Sequence, residues 1–260
     1  MLKLHWHLER LVKLMSRRKI VYVIVEGPSD DTALGVILQQ LFDKDKVYVE
    51  IMHGDITSDK KVNSSNIAAA LGDIIKTYAN ANHFKREDFR EVIHLVDTDG
   101  AFIDDNYIIE DITADKPIYS LTSIHTNKLD ELKNRNERKS KNLSRIASLN
   151  QVWKSVPYKA YYMSCNLDHV LYDKQNSSDD EKENNAFAFA KKYRNDIDGF
   201  LTFMLDPDFS KVNDFKSSWN FIMEGMHSLE RWSNLGICFQ KIIAERYNNI
   251  EAVSSIDKSR

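Results

Sequence analysis

The segment Ile20–Gly27 reads IVYVIVEG, and the segment Val92–Gly100 reads VIHLVDTDG. In both, a run of mostly apolar residues is followed at once by carboxylates: Glu26 in the first segment, Asp97 and Asp99 in the second. Apolar side chains at odd and even positions alike are typical of strands buried on both faces, as in a parallel sheet. The two segments therefore predict buried strands that end in acidic residues.

Strand and helix patterns alternate outward from these two segments. Further strands are predicted at 47–52 and 159–163, with a short extended piece at 117–120, and helices at 29–42, from 64 or 65 to 78, and at 127–149. A β-α-β-α-β order with helical crossovers is typical of a doubly wound parallel sheet. We therefore predict an α/β domain of this kind over residues 19–173.

The flanking regions differ from this domain. Residues 1–19 contain six basic residues and one acidic residue, with leucines at helical spacing, so a basic amphipathic helix is expected over 1–18. It either docks on the body of the protein or binds a partner, a nucleic acid or a membrane surface. Residues 174–185 (KQNSSDDEKENN) have the composition of a polar linker, and aromatic residues at helical spacing predict a helical C-terminal region over 186–260.

The overall composition excludes several classes of protein. The 260 residues include 36 Lys and Arg against 39 Asp and Glu, so the chain is not a polybasic nucleic-acid binder. Its two cysteines, Cys165 and Cys238, are too few for a disulfide framework or a cysteine-rich zinc site. No apolar run is long enough to span a bilayer, and the N-terminus lacks a signal-peptide pattern. We expect a cytoplasmic protein without integral membrane association.

Acidic residues recur where the predicted strands end. Ligands of open parallel sheets bind beyond the carboxyl ends of the strands. Asp97 and Asp99 are expected to point to the same side if their segment is extended, and such a pair can hold a hard divalent cation. Asp30 and Asp31 either join this cluster or complement the dipole of the following helix, and Asp55 either joins it or solvates a loop.

Val25-Glu26-Gly27 together with Asp97-x-Asp99 resembles the TOPRIM domain, which topoisomerases, primases, small ribonucleases and the OLD family of nucleases share. The resemblance covers roughly residues 19–173. Asn166-Leu167-Asp168 is similar to the Asn-x-Glu element of OLD-like and related phage-defence proteins, with Asp in place of the usual Glu.

The resemblance implies a metal-dependent nuclease that hydrolyses phosphodiester bonds in DNA or RNA, with Mg²⁺, or Mn²⁺ in its place, as the cofactor. It implies Glu26, Asp97 and Asp99 as catalytic residues, and these three with Asp30 and Asp168 as metal ligands. It also implies an effector of phage defence or a related toxic system, working with an ATPase regulatory partner or as a homo-oligomer.

Residues 127–145 carry seven basic and three acidic residues, which predicts a basic helix near the carboxyl side of the sheet. Basic side chains in such a position bind backbone phosphates, or they form an ordinary solvated helix face. The predicted nucleic-acid-binding residues are Lys133, Arg135, Arg138, Lys139, Lys141 and Arg145.

Two alternatives to a nuclease remain open. LVDTDGAF also resembles the D-x-D-G-T element of haloacid-dehalogenase-like phosphatases, with Asp97 as nucleophile and Asp99 as acid/base. That element normally ends the first strand of its domain, whereas here a β-α-β-α unit precedes it, and Ala101 stands where Thr is usual. The second alternative is a non-catalytic α/β module that binds a partner through its helical tail.

Overall fold

The computed structural model describes residues 18–42 and 47–244. Its central sheet has the strand order β2-β1-β3-β8-β7, and β9 also pairs with β8. The first four strands in that order are parallel, while β7 and β9 run antiparallel to β8. The α/β class with a mainly parallel sheet is therefore confirmed. The strands are β1 (Lys19–Val25), β2 (Val47–His53), β3 (Phe89–Asp97), β4 (Ile108–Glu110), β5 (Ile118–Tyr119), β6 (Ile124–Thr126), β7 (Gln151–Val152), β8 (Val156–Ser164) and β9 (Trp232–Ser233).

Helices cover both faces of this sheet, as a doubly wound arrangement requires. They are α1 (Pro28–Leu41), α2 (Ile67–Ala81), α3 (Leu129–Ala147), α4 (Leu167–Tyr172), α5 (Asp179–Tyr193), α6 (Ile197–Met204) and α7 (Phe215–Ile222), and residues 235–244 are also helical. One core lies between the sheet and α1, α4, α5 and α6, and the other lies between the sheet and α2, α3 and α7.

The all-apolar pattern of β1 follows from this sandwich. Val21, Val23 and Val25 pack in the core on the α1 side, whereas Tyr22 and Ile24 pack in the core on the α2 side. Successive side chains of a strand point to opposite faces, so a strand covered by helices on both sides buries every residue.

A second, small sheet has the order β4-β6-β5 and connects β3 to α3. The predicted extended piece at 117–120 is confirmed as β5. The other two strands have three residues each, and so short a segment carries too little alternation to be recognised in a sequence.

The predicted polar linker over 174–185 is wrong from Asp179 onward, where α5 begins. The Ser178 side chain accepts a hydrogen bond from the Glu181 backbone N–H, and the Glu181 carboxylate accepts one from the Ser178 N–H. This reciprocal capping box starts a helix from residues whose composition resembles that of a loop.

The predicted all-helical C-terminal region is also wrong in part, because β9 lies within it and adds to the central sheet. Phe189, Phe200 and Phe239 of this region pack in the same core as β1 and β3. The described part of the region therefore forms one of the two layers that cover the sheet.

The predicted helix over 1–18 lies outside the described residues except for Arg18, and so do residues 245–260. Among the helices that are described, none combines the length and the apolar character needed to cross a membrane.

Candidate active site

The strand order changes direction at β1, because β2 lies on one side of it and β3 on the other. Such a switch point opens a crevice at the carboxyl ends of the two central strands. Glu26 directly follows β1, Asp97 is the last residue of β3, and Asp55 follows β2 by two residues. The topology thus brings acids from three separate parts of the sequence to one crevice.

Glu26 bridges the two central strands. Its Oε1 accepts a hydrogen bond from the Asp97 backbone N–H at 2.9 Å. Burial raises the pKa of the Glu26 carboxyl to about 8, with the charge of Lys139 opposing this shift and those of Asp55 and Asp99 adding to it. Glu26 therefore holds its proton more tightly than an exposed carboxyl does.

The pKa values of Asp97 and Asp99 are shifted in opposite directions. Burial, followed by the neighbouring carboxylates of Glu26 and Asp30, raises the pKa of Asp97 well above its usual value. Burial alone would raise the pKa of Asp99 as well, but the nearby ammonium and guanidinium groups of α3 outweigh it and lower that pKa. Asp97 thus favours a proton or a cation, whereas Asp99 is a stable carboxylate.

The expectation that Asp97 and Asp99 share an extended segment is wrong. β3 ends at Asp97, and Asp99 has a φ of 49°, followed by Gly100 with a φ of 63°. The chain therefore turns in the left-handed region immediately after the strand, which Gly tolerates and Asp adopts more readily than most residues. Both carboxylates nevertheless line the same cavity.

Lys139 of α3 supplies the central positive charge. Its side chain has no exposed surface, and its Nζ lies 2.5 Å from Asp99 Oδ2 and 3.4 Å from Glu26 Oε1. Arg135, one turn earlier, lies 3.3 Å from the same Asp99 oxygen and donates a hydrogen bond to the Asp99 backbone carbonyl at 3.0 Å. The pKa of Lys139 is raised well above its usual value because these carboxylates outweigh burial, which acts to lower it.

Asp30 and Asp168 complete the acidic wall from two helix N-termini. Asp30 Oδ2 accepts the Gly27 backbone N–H at 3.0 Å in the first turn of α1, and burial raises its pKa to about 6. Asp168 lies in the first turn of α4 and is 5% exposed, and its Oδ2 is buried without a hydrogen-bond partner among the described residues. Burial also raises the pKa of Asp168.

The acids of this site line one cavity of about 390 Å³ at the switch point. All five predicted metal-ligand residues contribute to its wall: Glu26, Asp30, Asp97, Asp99 and Asp168. Asp55, Asn166 and Lys182 line it as well. Lys182 belongs to α5, within the segment predicted as a linker, so the sequence prediction missed it together with the start of that helix.

The six predicted nucleic-acid-binding residues differ in how far their side chains are exposed. The assignment of Lys139 is wrong, because its side chain is fully buried and pairs with Asp99. Arg135 also pairs with Asp99, but 19% of its side chain is exposed. Arg138 is partly buried and donates to the Ser58 carbonyl at 3.0 Å. The other three side chains reach solvent, one of them only in part: Lys133, Lys141 and Arg145.

The sequence does contain a signal for the burial of Lys139. The buried positions of α3 include Leu132, Asn136, Lys139, Leu143 and Ile146, which recur at intervals of three and four residues. A lysine within an otherwise inward-facing stripe is buried with its charge, and a buried charge needs partners. The solvated basic residues on both sides of Lys139 obscure this signal.

By donor type, the cavity suits a hard divalent cation. Its carboxylates are the ligands that Mg²⁺ and Mn²⁺ prefer, one Asp168 oxygen is unpartnered among the described residues, and Asp97 is surrounded by like charges. By spacing, no three Asp, Glu, His or Cys side chains within 18–42 and 47–244 are grouped closely enough to coordinate one ion in this conformation. In this conformation, an ion bound among the described residues would therefore have at most two such side-chain ligands, with water in its other positions.

The chain was compared with protein-family models, with curated proteins and with solved structures, and no match was found in any of the three. The assignment of the candidate site therefore rests on its geometry and on the sequence motifs that carry the TOPRIM resemblance.

Proposed function

We propose that this protein is a metal-dependent nuclease of the TOPRIM type that hydrolyses phosphodiester bonds in DNA or RNA. The observation that carries the proposal is the convergence of Glu26, Asp97 and Asp99 on one cavity at the switch point of the sheet. These are the positions at which the sequence motifs place acids. A cavity with this excess of carboxylates attracts a divalent cation, and through it a phosphate.

The proposed metal ligands are Glu26, Asp97, Asp99, Asp30 and Asp168, for Mg²⁺ or Mn²⁺. When bound, such an ion polarises the phosphoryl oxygens and lowers the pKa of water enough to supply hydroxide. Glu26 is proposed either to act as general acid/base during hydrolysis or to share a second metal ion. Its hydrogen bond from the Asp97 N–H fixes it at the edge of β3.

The substrate backbone is proposed to lie along the solvent-facing side of α3. Lys133, Lys141 and Arg145 supply positive charge there, and Lys182 does so at the cavity itself. A role in phage defence and an ATPase partner are implied by the TOPRIM resemblance and remain predictions.

The decisive experiment compares nucleic-acid cleavage by the wild type, Glu26→Gln and Asp97→Asn with Mg²⁺, with Mn²⁺ and with EDTA. Both substitutions are isosteric and remove one potential ligand charge, so we expect losses of at least about 100-fold. Asp73→Asn, at an exposed acid on α2, is the matched control and should cleave like the wild type.

Cleavage that persists in both variants, or in EDTA, would show that the site assignment is wrong. Hydrolysis of a phosphate monoester that requires Asp97 but not Glu26 would favour the phosphatase alternative. If the wild type binds a partner but neither cleaves nucleic acid nor hydrolyses phosphate esters, the non-catalytic module is favoured.

A further inference from the structure

Lys139 contacts two acids that line the cavity but is not itself part of the cavity lining. Its side chain has no exposed surface and does not line the cavity, whereas Glu26 and Asp99, the two acids that it contacts, do line it. Lys139 therefore cannot meet a substrate phosphate in this conformation, and its ammonium acts on the two carboxylates alone.

The hydrogen bonds and ion pairs that the described residues make to these carboxylates reach only one oxygen of each. Glu26 Oε1 accepts from the Asp97 N–H at 2.9 Å and lies 3.4 Å from Lys139 Nζ. Asp99 Oδ2 lies 2.5 Å from Lys139 Nζ and 3.3 Å from Arg135 Nη1. Among the described residues, these contacts leave Glu26 Oε2 and Asp99 Oδ1 without an ion pair or hydrogen bond.

Polar contacts made by neighbouring residues of α3 fix the position of this helix and therefore of Lys139. Arg135 Nε and Nη2 lie 3.0 and 2.7 Å from Asn136 Oδ1, and Arg135 Nη1 lies 3.1 Å from the Tyr119 hydroxyl of β5. Asn142, one turn after Lys139, donates to the Thr57 carbonyl in the loop beyond β2 at 2.9 Å. Buried polar contacts thus fix α3 on both sides of the lysine.

We propose that Lys139 is a positioning residue for the metal site, holding one oxygen of Glu26 and one of Asp99 so that the other oxygen of each faces the incoming cation. This inference rests on the proposed function, because it concerns the same metal. Groups that anchor metal ligands from outside the coordination shell raise affinity by fixing ligand orientation, and their removal typically weakens binding 10- to 100-fold. A lysine that merely competed with the metal would have the opposite effect, since removing its charge would tighten binding.

The sign of the change in affinity is therefore the test. Mn²⁺ binding to the full chain is measured by electron paramagnetic resonance and by calorimetry for the wild type, Lys139→Met and Lys139→Arg. We expect Lys139→Met to bind Mn²⁺ about 10- to 100-fold more weakly and Lys139→Arg to recover part of the affinity. The control is Lys241→Met, since Lys241 is exposed, lies outside the proposed site, and its ammonium pairs with Glu91 at 2.7 Å. It should bind like the wild type.

Unchanged or tighter Mn²⁺ binding by Lys139→Met overturns the proposal. Should that variant not fold, Lys139→Gln, which keeps a hydrogen-bond donor but removes the charge, is measured instead and judged by the same two outcomes. Glu26→Gln and Asp97→Asn separate this test from that of the proposed function. If these two leave Mn²⁺ binding intact, the metal site itself is wrong; if they abolish it and Lys139→Met does not weaken it, only the positioning role is wrong.

Discussion

Basic residues lie on both faces of α3, but they are buried on one face and exposed to solvent on the other. On the inner face, Lys139 is fully buried and Arg135 is mostly buried, and both contact Asp99. On the outer face, Lys141 and Arg145 are exposed. A buried ion pair whose partner is removed leaves an uncompensated charge, whereas an exposed charge is screened by water. Basic residues only two positions apart on one helix therefore have different surroundings: those inside pair with buried acids, and those outside face solvent.

The largest expected effect tests the inner face. Lys139→Ala should lower the free energy of unfolding by about 3–5 kcal/mol, because Glu26 and Asp99 would remain buried without their ammonium partner. Urea denaturation measures this change, and Lys141→Ala serves as the matched control with no change beyond error. Equal effects of the two substitutions would remove the distinction between the faces.

A smaller effect is expected for Arg135→Lys. A lysine keeps the charge but cannot reproduce the hydrogen bonds of the guanidinium to the Asp99 carbonyl, the Tyr119 hydroxyl and Asn136. We expect the free energy of unfolding to fall by about 1.5–3 kcal/mol in urea denaturation. A stability equal to that of the wild type would mean that charge alone holds the turn after β3.

His94 extends the comparison to a buried basic side chain that is uncharged in the folded protein. It has no exposed surface, its Nδ1 lies 2.7 Å from the Tyr158 hydroxyl, and burial lowers its pKa from 6.5 to about 3. Between these values the unfolded chain binds more protons than the folded chain, so stability falls as pH falls. The contribution of this residue is about 1.4 kcal/mol per pH unit below pH 6.5.

Denaturation midpoints at several pH values between about 7 and 4 measure this slope. The matched variant His94→Gln, which does not titrate in this range, should be less stable at neutral pH but should show a flatter dependence. An identical slope in the variant would assign the acid sensitivity to other groups.

The smallest expected effect on stability belongs to the outer face. A variant with Lys133→Gln, Lys141→Gln and Arg145→Gln should unfold at the same urea concentration as the wild type. It should nevertheless bind nucleic acid more weakly, and the logarithmic salt dependence of its affinity should decrease by about 0.9 for each duplex phosphate that is no longer neutralised. Fluorescence anisotropy over a range of salt concentrations checks this, and an unchanged slope would exclude the outer face as the binding surface.

The sequence predicts those elements that are determined by short, continuous stretches of residues. The apolar runs of β1 and β3 lie in the predicted strands because residues covered on both sides must all be apolar. Glu26 and Asp97 were found because an acid at the end of such a strand meets the crevice. The helix predicted over 127–149 agrees within two residues with the observed Leu129–Ala147.

The remaining features depend on contacts that are distant in sequence. Lys139 lies 113 residues from Glu26 and 40 from Asp99, so no local pattern pairs them. The start of α5 was hidden because polar, acidic residues are common both in linkers and in first helical turns, and only the pairing of Ser178 with Glu181 distinguishes the two. β9 has two residues and becomes a strand only through β8.

The position of β9 has a consequence for how the chain reaches its native state. The sheet receives this strand, and the helical segment 235–244 that covers one core, only after most of the chain has been made. A nascent chain that has emerged only as far as residue 173 exposes the apolar side chains of β1, β3 and β8 that Phe200 and Phe239 later cover. Long-range pairing of this kind slows folding and prolongs exposure to aggregation. We therefore expect the growing sheet to expose apolar surface until its last layer is added.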